Sequence, residues 1–165
     1  MKILFSFFLL VNLLNSSDLE EVKANYLAIQ SVEEANNYIR KIENLESDDS
    51  KVYLAALYLM KARFAKFPIS KYSNFKKGSK LLDKTINKNK QKVEYRYVRF
   101  LFQSEIPKFL GYHENKEEDL TWIIKNFENC KVPISYKKVM LSNLLKVQGL
   151  TEKEHVELNK LNNLL

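Results

Sequence analysis

The sequence predicts an all-α protein in which about eight helices stack as antiparallel hairpins. Its 165 residues include only 3 glycines and 3 prolines, and so few helix-breaking residues favour long helices over the many turns of a β fold. Apolar residues recur at the helical period, and no segment alternates as a strand does. Because the connections between predicted helices are short, neighbouring helices should run antiparallel.

Residues 1–17 are predicted to be a secretory signal peptide, and residues 18–165 a single helical domain. The segment MKILFSFFLLVNLL has one lysine and then a mostly apolar run, and small polar residues follow it before Asp18. This run is shorter than the ~20 residues of a membrane-spanning helix. A buried first helix is the alternative. We expect cleavage near Ser17, export to the periplasm or cell envelope, and no transmembrane span in the mature chain.

The first two helices are predicted mainly from their capping residues. Ser17 or Asp18 would cap a short helix that ends near Ile29. Ser31 opens the second helix, and Glu34, three residues later, completes the pattern of a capping box. The apolar positions of this second helix fall on one side, which is the side expected to be buried.

The third and fourth helices lie on either side of Pro68. The third, KVYLAALYLMKARFAKF, is apolar on most faces, which predicts a central position in the fold. Pro68 is expected to end it, because proline interrupts helical hydrogen bonding. Ser73 is expected to cap the fourth helix, whose buried stripe would comprise Phe75, Leu81, Leu82 and Ile86.

The fifth and sixth helices are predicted from a proline stop and from apolar spacing. The fifth extends from about Val93 to Ile106, and Pro107 and Gly111 follow it. The sixth has acidic residues at its start, where the helix dipole favours them. Its apolar residues stand at i, i+3, i+4 and i+7, namely Leu120, Ile123, Ile124 and Phe127.

The last two helices have clear boundaries in the sequence. The seventh begins after Pro133 and stops at Gly149. The eighth opens with Thr151 and Glu154, a second capping box. Together these segments account for nearly all of the chain after the apolar start.

The segment FKKGSKLLDKTI resembles the second helix of a tetratricopeptide repeat. That family places a small residue, a large apolar residue four later and a small one three beyond, and Gly78, Leu82 and Thr85 stand at those places. The resemblance implies a close approach of two helices at the small residues. The preceding helix lacks the family's tryptophan and leucine-glycine pattern. An irregular helical bundle is the alternative architecture.

One narrow polar stripe marks the fifth helix as a candidate binding element. At ~100° per residue, four polar side chains fall within a strip roughly 60° wide, and most of the remaining circumference is apolar. Two arginines in such a stripe must reach water or pair with acids. The stripe would either line a groove and bind a carboxylate or phosphate of a partner, or form ion pairs with acids on neighbouring helices. The candidate binding residues are Lys92, Arg96, Arg99, Gln103 and the nearby Tyr112.

An acidic cluster follows the stripe and would be its internal partner or a cap for the sixth helix. It comprises Glu114, Glu117, Glu118 and Asp119.

The segment RYVRFLFQSEIPKFLGY also resembles one found in small, uncharacterised, exported bacterial helical proteins. Arg96, Arg99, Gln103, Pro107 and Tyr112 carry this second resemblance, which implies an envelope location and no particular activity.

Charge is distributed unevenly along the chain, whose formal net charge is +7. Residues 18–49 carry 9 acids and 3 bases, whereas residues 50–92 carry 12 bases and a single acid, Asp83. No nucleic-acid motif accompanies the basic segment, so nucleic acid is not an expected partner. We expect its lysines to cover solvent-facing helix surfaces. Another protein or an anionic envelope component would be the partner.

Catalytic and metal-binding motifs are not apparent in the sequence. His113 with Glu117 or Glu118 would be the nearest approach to a metal site, but the second histidine, His155, lies 42 residues away. The single Cys130 excludes an internal disulfide, and a small apolar role on a helix face is expected for it. The sequence predicts no cofactor.

The sequence therefore predicts a non-catalytic helical binding or scaffold protein of the bacterial cell envelope. One alternative is a small metal-assisted envelope hydrolase that uses His113 with Glu117 or Glu118. A second alternative is a carrier of a lipid or another apolar ligand, because the chain has 10 phenylalanines and 9 tyrosines. Packing in a core accounts for these aromatic side chains equally well.

Overall fold

A computed structural model describes residues 17–165, and within this range every regular element is a helix. The predicted all-α fold is confirmed. Two short 3-10 helices accompany the α-helices, at Tyr26–Ala28 and Lys108–Leu110. The α-helices are α1 (17–25), α2 (Val32–Ile42), α3 (Asp48–Phe64), α4 (Pro68–Lys88), α5 (Val93–Glu105), α6 (Lys116–Asn126), α7 (Ile134–Leu144) and α8 (Glu152–Asn163).

The predicted signal peptide falls almost entirely on residues 1–16, outside the described part of the chain. Ser17, where cleavage is expected, is helical. The described chain divides into two compact units, and the division falls inside α4, after Thr85. Export and a single-domain organisation therefore stay predictions.

In the first unit, α3 is the central helix, as its apolar sequence predicts. Most of its side chains between Val52 and Ala62 are buried, and α2 packs along it. The 3-10 helix that follows α1 also contacts α3, where the rings of Tyr26 and Tyr53 meet edge to face with centroids 5.4 Å apart. This arrangement of aromatic rings is a favoured one.

Helix α4 approaches α3 closely at Gly78. A Cβ atom at this position would lie 2.8 Å from the carbonyl oxygen of Ala55 and 2.8 Å from Cγ of Leu59, closer than real Cβ atoms come. Leu82 and Thr85, which follow on the same helix, are buried. The close helix approach implied by the tetratricopeptide resemblance is present here, while membership of that family stays a prediction.

The predicted boundary around Pro68 is wrong. Helix α3 ends at Phe64, and Pro68 is the first residue of α4, so Ser73 lies inside this helix and does not cap it. Proline suits a first helical position because its missing N–H would have no helical partner there and its φ angle is already helical. Helix α3 also begins earlier than predicted, because Ser47 caps it by accepting from the amide of Ser50 at 3.0 Å.

The two predicted capping boxes differ in detail. At α8 the box is complete, because Thr151 accepts from the amide of Glu154 and Glu154 accepts from the amide of Thr151. At α2, Ser31 accepts from the amide of Glu34 at 3.0 Å. The Glu34 carboxylate, however, accepts from the amide of Gln30, one residue before the cap, at 2.7 Å. Both arrangements satisfy amides that the helix itself leaves free.

In the second unit, α5 and α6 form the most extensive helix pair, and α7 pairs with α8. Every side chain of α5 from Val93 to Gln103 is buried, so this helix is nearly surrounded by protein, as predicted. It also contacts α7, where the Asn143 side-chain amide donates to the Tyr97 hydroxyl at 3.0 Å. The polar groups on α5 must therefore find partners inside the protein.

Candidate functional site

Charged side chains of α5 and α6 form a buried ion-pair cluster. Arg99 donates to both carboxylate oxygens of Asp119, through Nε at 2.7 Å and Nη2 at 2.8 Å. Arg96 Nη1 donates to Asp119 Oδ1 at 2.9 Å and to Glu118 Oε1 at 2.8 Å. We call Arg96, Arg99, Glu118 and Asp119 the Arg–Asp cluster. Its two arginines and two acids balance in charge, and the fork of Arg99 matches the carboxylate in the bidentate geometry that arginine favours.

Helix spacing explains how the sequence brings these groups together. Arg96 and Arg99 are three residues apart and so lie on one face of α5. Glu118 and Asp119 lie in the first turn of α6, where the helix dipole favours acidic side chains. Arg96 Nε also donates to the carbonyl oxygen of Lys90 at 2.8 Å. The cluster thus connects the start of α6 to one face of α5 and to the segment before α5 by hydrogen bonds.

The cluster is buried at its centre and open on one side. Asp119 is 0% exposed, and Arg96 and Arg99 are 6% and 5% exposed, whereas the Glu118 side chain is 64% exposed. The hydrogen bond from Arg96 and the charge of its guanidinium lower the pKa of Glu118 below its ordinary value. Because of this lowered pKa, Glu118 stays charged to a lower pH than an ordinary glutamate does.

Trp122 and Gln103, one helical turn beyond Asp119 and Arg99, have buried polar atoms without a hydrogen-bond partner in the described part of the chain. The Arg96 guanidinium lies over the Trp122 ring, 4.9 Å from its centroid, a stacking that arginine favours. Within residues 17–165, neither Trp122 Nε1 nor Gln103 Oε1 has a hydrogen-bond partner. These are one donor and one acceptor, so the polar network around the cluster is only partly satisfied by protein groups.

The predicted binding residues do not share one accessible surface. Arg96, Arg99 and Gln103 are buried, Tyr112 is half-buried, and Lys92 is exposed at the N-cap of α5. The arginines pair with two of the four predicted acids, as the structural alternative expects. Their role as contacts for a separate partner stays a prediction. The other two acids, Glu114 and Glu117, are exposed.

The residues of the hydrolase alternative are not grouped as a metal site. His113 and Glu117 are exposed, and Glu118 is engaged with Arg96. Within the described residues, no group of three or more histidine, cysteine, aspartate or glutamate side chains is placed to hold a metal ion. Cys130 is half-buried, and this burial raises the pKa of its thiol.

A cavity of about 520 Å³ lies beside the start of α5, and sequence reasoning did not anticipate it. Its walls come from the α4–α5 connection and from the segment after α6. Most of the residues that line it are polar or basic. The lining residues are Lys88, Asn89, Lys90, Gln91, Lys92, Val93, Glu94, Asn126, Asn129, Cys130, Lys131 and Val132.

Helix α4 and the residue before it expose apolar and basic side chains together. Phe67, Ile69 and Tyr72 are 73%, 85% and 57% exposed, although they are large and apolar. Lys76, Lys80 and Lys84 follow at intervals of four residues, and all three are exposed. The sequence predicted the basic segment but not the apolar residues, because the prediction placed Phe67 at the end of the third helix and Ile69 and Tyr72 in the connection before Ser73. We call the six exposed residues the α4 face: Phe67, Ile69, Tyr72, Lys76, Lys80 and Lys84.

The α4 face is opposite to the packing side of its helix. At ~100° per residue, Ile69, Tyr72 and the three lysines lie within about 120° of the helix circumference, whereas Gly78 and Leu82 project about 180–220° from Ile69. Helix α4 therefore packs on α3 with one side and presents the α4 face to solvent with the other. The Lys76 ammonium lies 5.9 Å from the centroid of the Tyr72 ring, so the two types of side chain are adjacent.

Comparisons with known proteins add no further assignment, because no protein-family model, curated protein or solved structure matches the chain. In the part of the chain from residue 17 onward, none of the helices combines the length and the apolar character needed to cross a bilayer.

Proposed function

We propose that this chain is a non-catalytic binding protein of the bacterial cell envelope that holds a negatively charged envelope component on its α4 face. The observation that carries this proposal is the exposure of three large apolar side chains next to three evenly spaced lysines. Large apolar side chains grouped on a surface are typical of interaction sites. The lysines set the sign of the charge that the partner must have.

Charge around the α4 face supports a partner of negative charge. Lys66 and Lys71, which flank its apolar residues, are also exposed, as is Arg63 near the end of α3. The one acid of α4 is Asp83, which is half-buried and, at ~100° per residue, lies between Tyr72 and Lys76 around the helix. Interactions between surface charges are screened over ~8 Å at physiological ionic strength, so the local excess of positive charge matters more than the net charge of the chain.

The packing of α4 within the first unit supports this proposal, because Gly78 allows the helix to approach α3 closely. A face built on a well-packed helix loses little conformational freedom when a partner binds. The envelope location rests on the predicted signal peptide and on the resemblance of residues 96–112 to exported bacterial proteins.

Fractionation of the native cell tests the proposal. We expect the wild-type chain in the envelope fraction, released by high salt, because attraction between charges is screened by ions. A triple Lys76→Gln, Lys80→Gln, Lys84→Gln variant should move to the soluble fraction. The matched control changes three exposed lysines of α7 and α8, Lys138, Lys153 and Lys160, to Gln.

The control lowers the net charge equally, so it should leave the chain in the envelope fraction. The proposal fails if the wild-type chain resists high salt, or if the two triple variants distribute alike.

A further inference from the structure

We infer that the partner of the α4 face is the surface of an anionic lipid bilayer, and that Phe67, Ile69 and Tyr72 enter its interfacial region. This inference rests on the proposed function and names the chemical class of its partner. It depends on the order of side chains along α4, on their exposure and on the charges around them.

The apolar residues are grouped at one end of the face. Phe67 directly precedes the helix, and Ile69 and Tyr72 lie in its first two turns, so these side chains project together where the chain turns from α3 into α4. Their exposed fractions of 57–85% leave most of each side chain available to a second apolar medium. A helix start with three such exposed side chains suits shallow insertion between lipid headgroups, as in interfacial helices.

The lysines are placed to contact headgroups when the apolar end is inserted. With a rise of ~1.5 Å per residue, Ile69 and Lys84 are about 22 Å apart along the helix axis. Because they share one side of α4, the helix can lie along the membrane surface with its lysines against the phosphates. Lysine side chains suit this position, since the apolar stem rests on the surface and the ammonium reaches outward.

Composition favours lipid over an acidic protein as the partner. Protein–protein interfaces are depleted in lysine in their cores, whereas the α4 face carries three lysines beyond its apolar end, and the one acid within its arc, Asp83, is half-buried. Tyrosine is enriched where membranes meet water, because its ring is apolar and its hydroxyl is polar. Lys66 and Lys71 surround the apolar end with further positive charge, as expected for an anionic lipid surface.

Site-specific fluorescence on vesicles tests the inference. An environment-sensitive fluorophore is attached at position 69 in the full chain carrying Cys130→Ser and Ile69→Cys. The control carries Cys130→Ser and Phe109→Cys, because Ile69 and Phe109 are both 85% exposed but Phe109 lies outside the α4 face. The vesicles are phosphatidylcholine alone, or phosphatidylcholine with about one third phosphatidylglycerol, which supplies the negative surface potential.

We expect the probe at position 69 to shift to the blue on phosphatidylglycerol vesicles and to be quenched by lipid-attached quenchers. The probe at position 109 should do neither, which separates insertion of the α4 face from attachment through any other segment. The Lys76→Gln, Lys80→Gln, Lys84→Gln changes should lower the affinity for these vesicles on the order of a hundredfold, because each lysine near an anionic surface contributes about a fivefold factor. The control triple in α7 and α8 should bind as the parent does.

The outcomes distinguish the inference from the proposed function. Equal responses of the two probes, or a silent probe at position 69, overturn the lipid inference. If the α4 triple variant nevertheless leaves the envelope fraction of the cell, the proposed function stands, and the partner is an anionic polymer or protein. If that variant also stays in the envelope, both proposals fail. An unchanged far-ultraviolet circular dichroism spectrum and urea unfolding midpoint verify that each variant is folded.

Discussion

Replacing Asp119 by alanine should destabilise the second unit severely. The fully buried carboxylate accepts three hydrogen bonds of 2.7–2.9 Å from Arg96 and Arg99. In the variant, Arg96 keeps Glu118 and the carbonyl of Lys90, whereas both of the Arg99 bonds to Asp119 are lost. Removing one partner of a buried ion pair costs about 3–5 kcal/mol, because the remaining charge stays desolvated.

Urea unfolding followed through Trp122 emission and far-ultraviolet circular dichroism measures this cost. Trp122 is the only tryptophan in the chain and lies one helical turn from Asp119, so its emission follows the unit that is affected. For a slope of about 2 kcal/mol per molar urea, the expected loss lowers the unfolding midpoint by about 1.5–2.5 M.

Glu118→Gln is the matched control, because it removes the other acid of the cluster from a side chain that is 64% exposed. Exposed ion pairs contribute about 0–1 kcal/mol, so its midpoint should move little. A double Asp119→Leu, Arg99→Met variant removes both partners and should cost less than the sum of the two single changes. If Asp119→Ala costs no more than Glu118→Gln, the cluster does not stabilise the unit as argued.

Three further predictions concern other parts of the described chain. Gly78→Ala should lower the free energy of unfolding by about 1–2 kcal/mol, because the strain of the new methyl group against the Ala55 carbonyl exceeds the gain in helix propensity; urea unfolding measures it. Thr151→Ala should cost about 1 kcal/mol by the same assay, because it removes the side-chain half of the α8 capping box. The lowered pKa of Glu118 gives stability that is present above the unfolded-state pKa and is lost as the pH falls through the folded-state pKa. Wild type should therefore lose more stability than Glu118→Gln between about pH 5 and about pH 3.

Each of these predictions has a control and a contradicting result. Ser79→Ala changes the residue beside Gly78 on a half-buried position and should be nearly neutral; equal effects of the two changes would refute the close-packing argument. Lys153→Ala tests α8 without touching its cap, and a loss as large as that of Thr151→Ala would refute the capping role. Parallel acid titrations of wild type and Glu118→Gln would refute the coupling of Glu118 to Arg96.

The helices were predictable where local physical chemistry decides them. The spacing of Leu120, Ile123 and Phe127 identifies the buried side of α6, and all three side chains are buried. Thr151 and Glu154 mark the start of α8 because a cap depends only on residues within one turn. The boundary at Pro68 was predicted wrongly because proline is found both after the end of a helix and at its first position. The sequence alone does not say which of these applies.

The candidate site was predictable only in part. The polar stripe of α5 indicates that Arg96 and Arg99 share one side of the helix, and four acids follow within reach. Which acid meets the arginines depends on the rotation of α6 about its axis, and this rotation is set by packing along the whole helix pair. The exposed position of Ile69 on α4 was not predicted, because the predicted fourth helix began at Ser73 and left Ile69 outside it.

The Arg–Asp cluster also bears on how the chain is assembled during synthesis. Arg99 and Asp119 are separated by only 20 residues, so the loop that must close before they meet is short and its entropic cost is small. Contacts this local form early compared with contacts between distant segments. Once Trp122 has left the ribosome, both arginines have their carboxylates. The hairpin of α5 and α6 can thus neutralise its own charges before α7 and α8 have emerged from the ribosome.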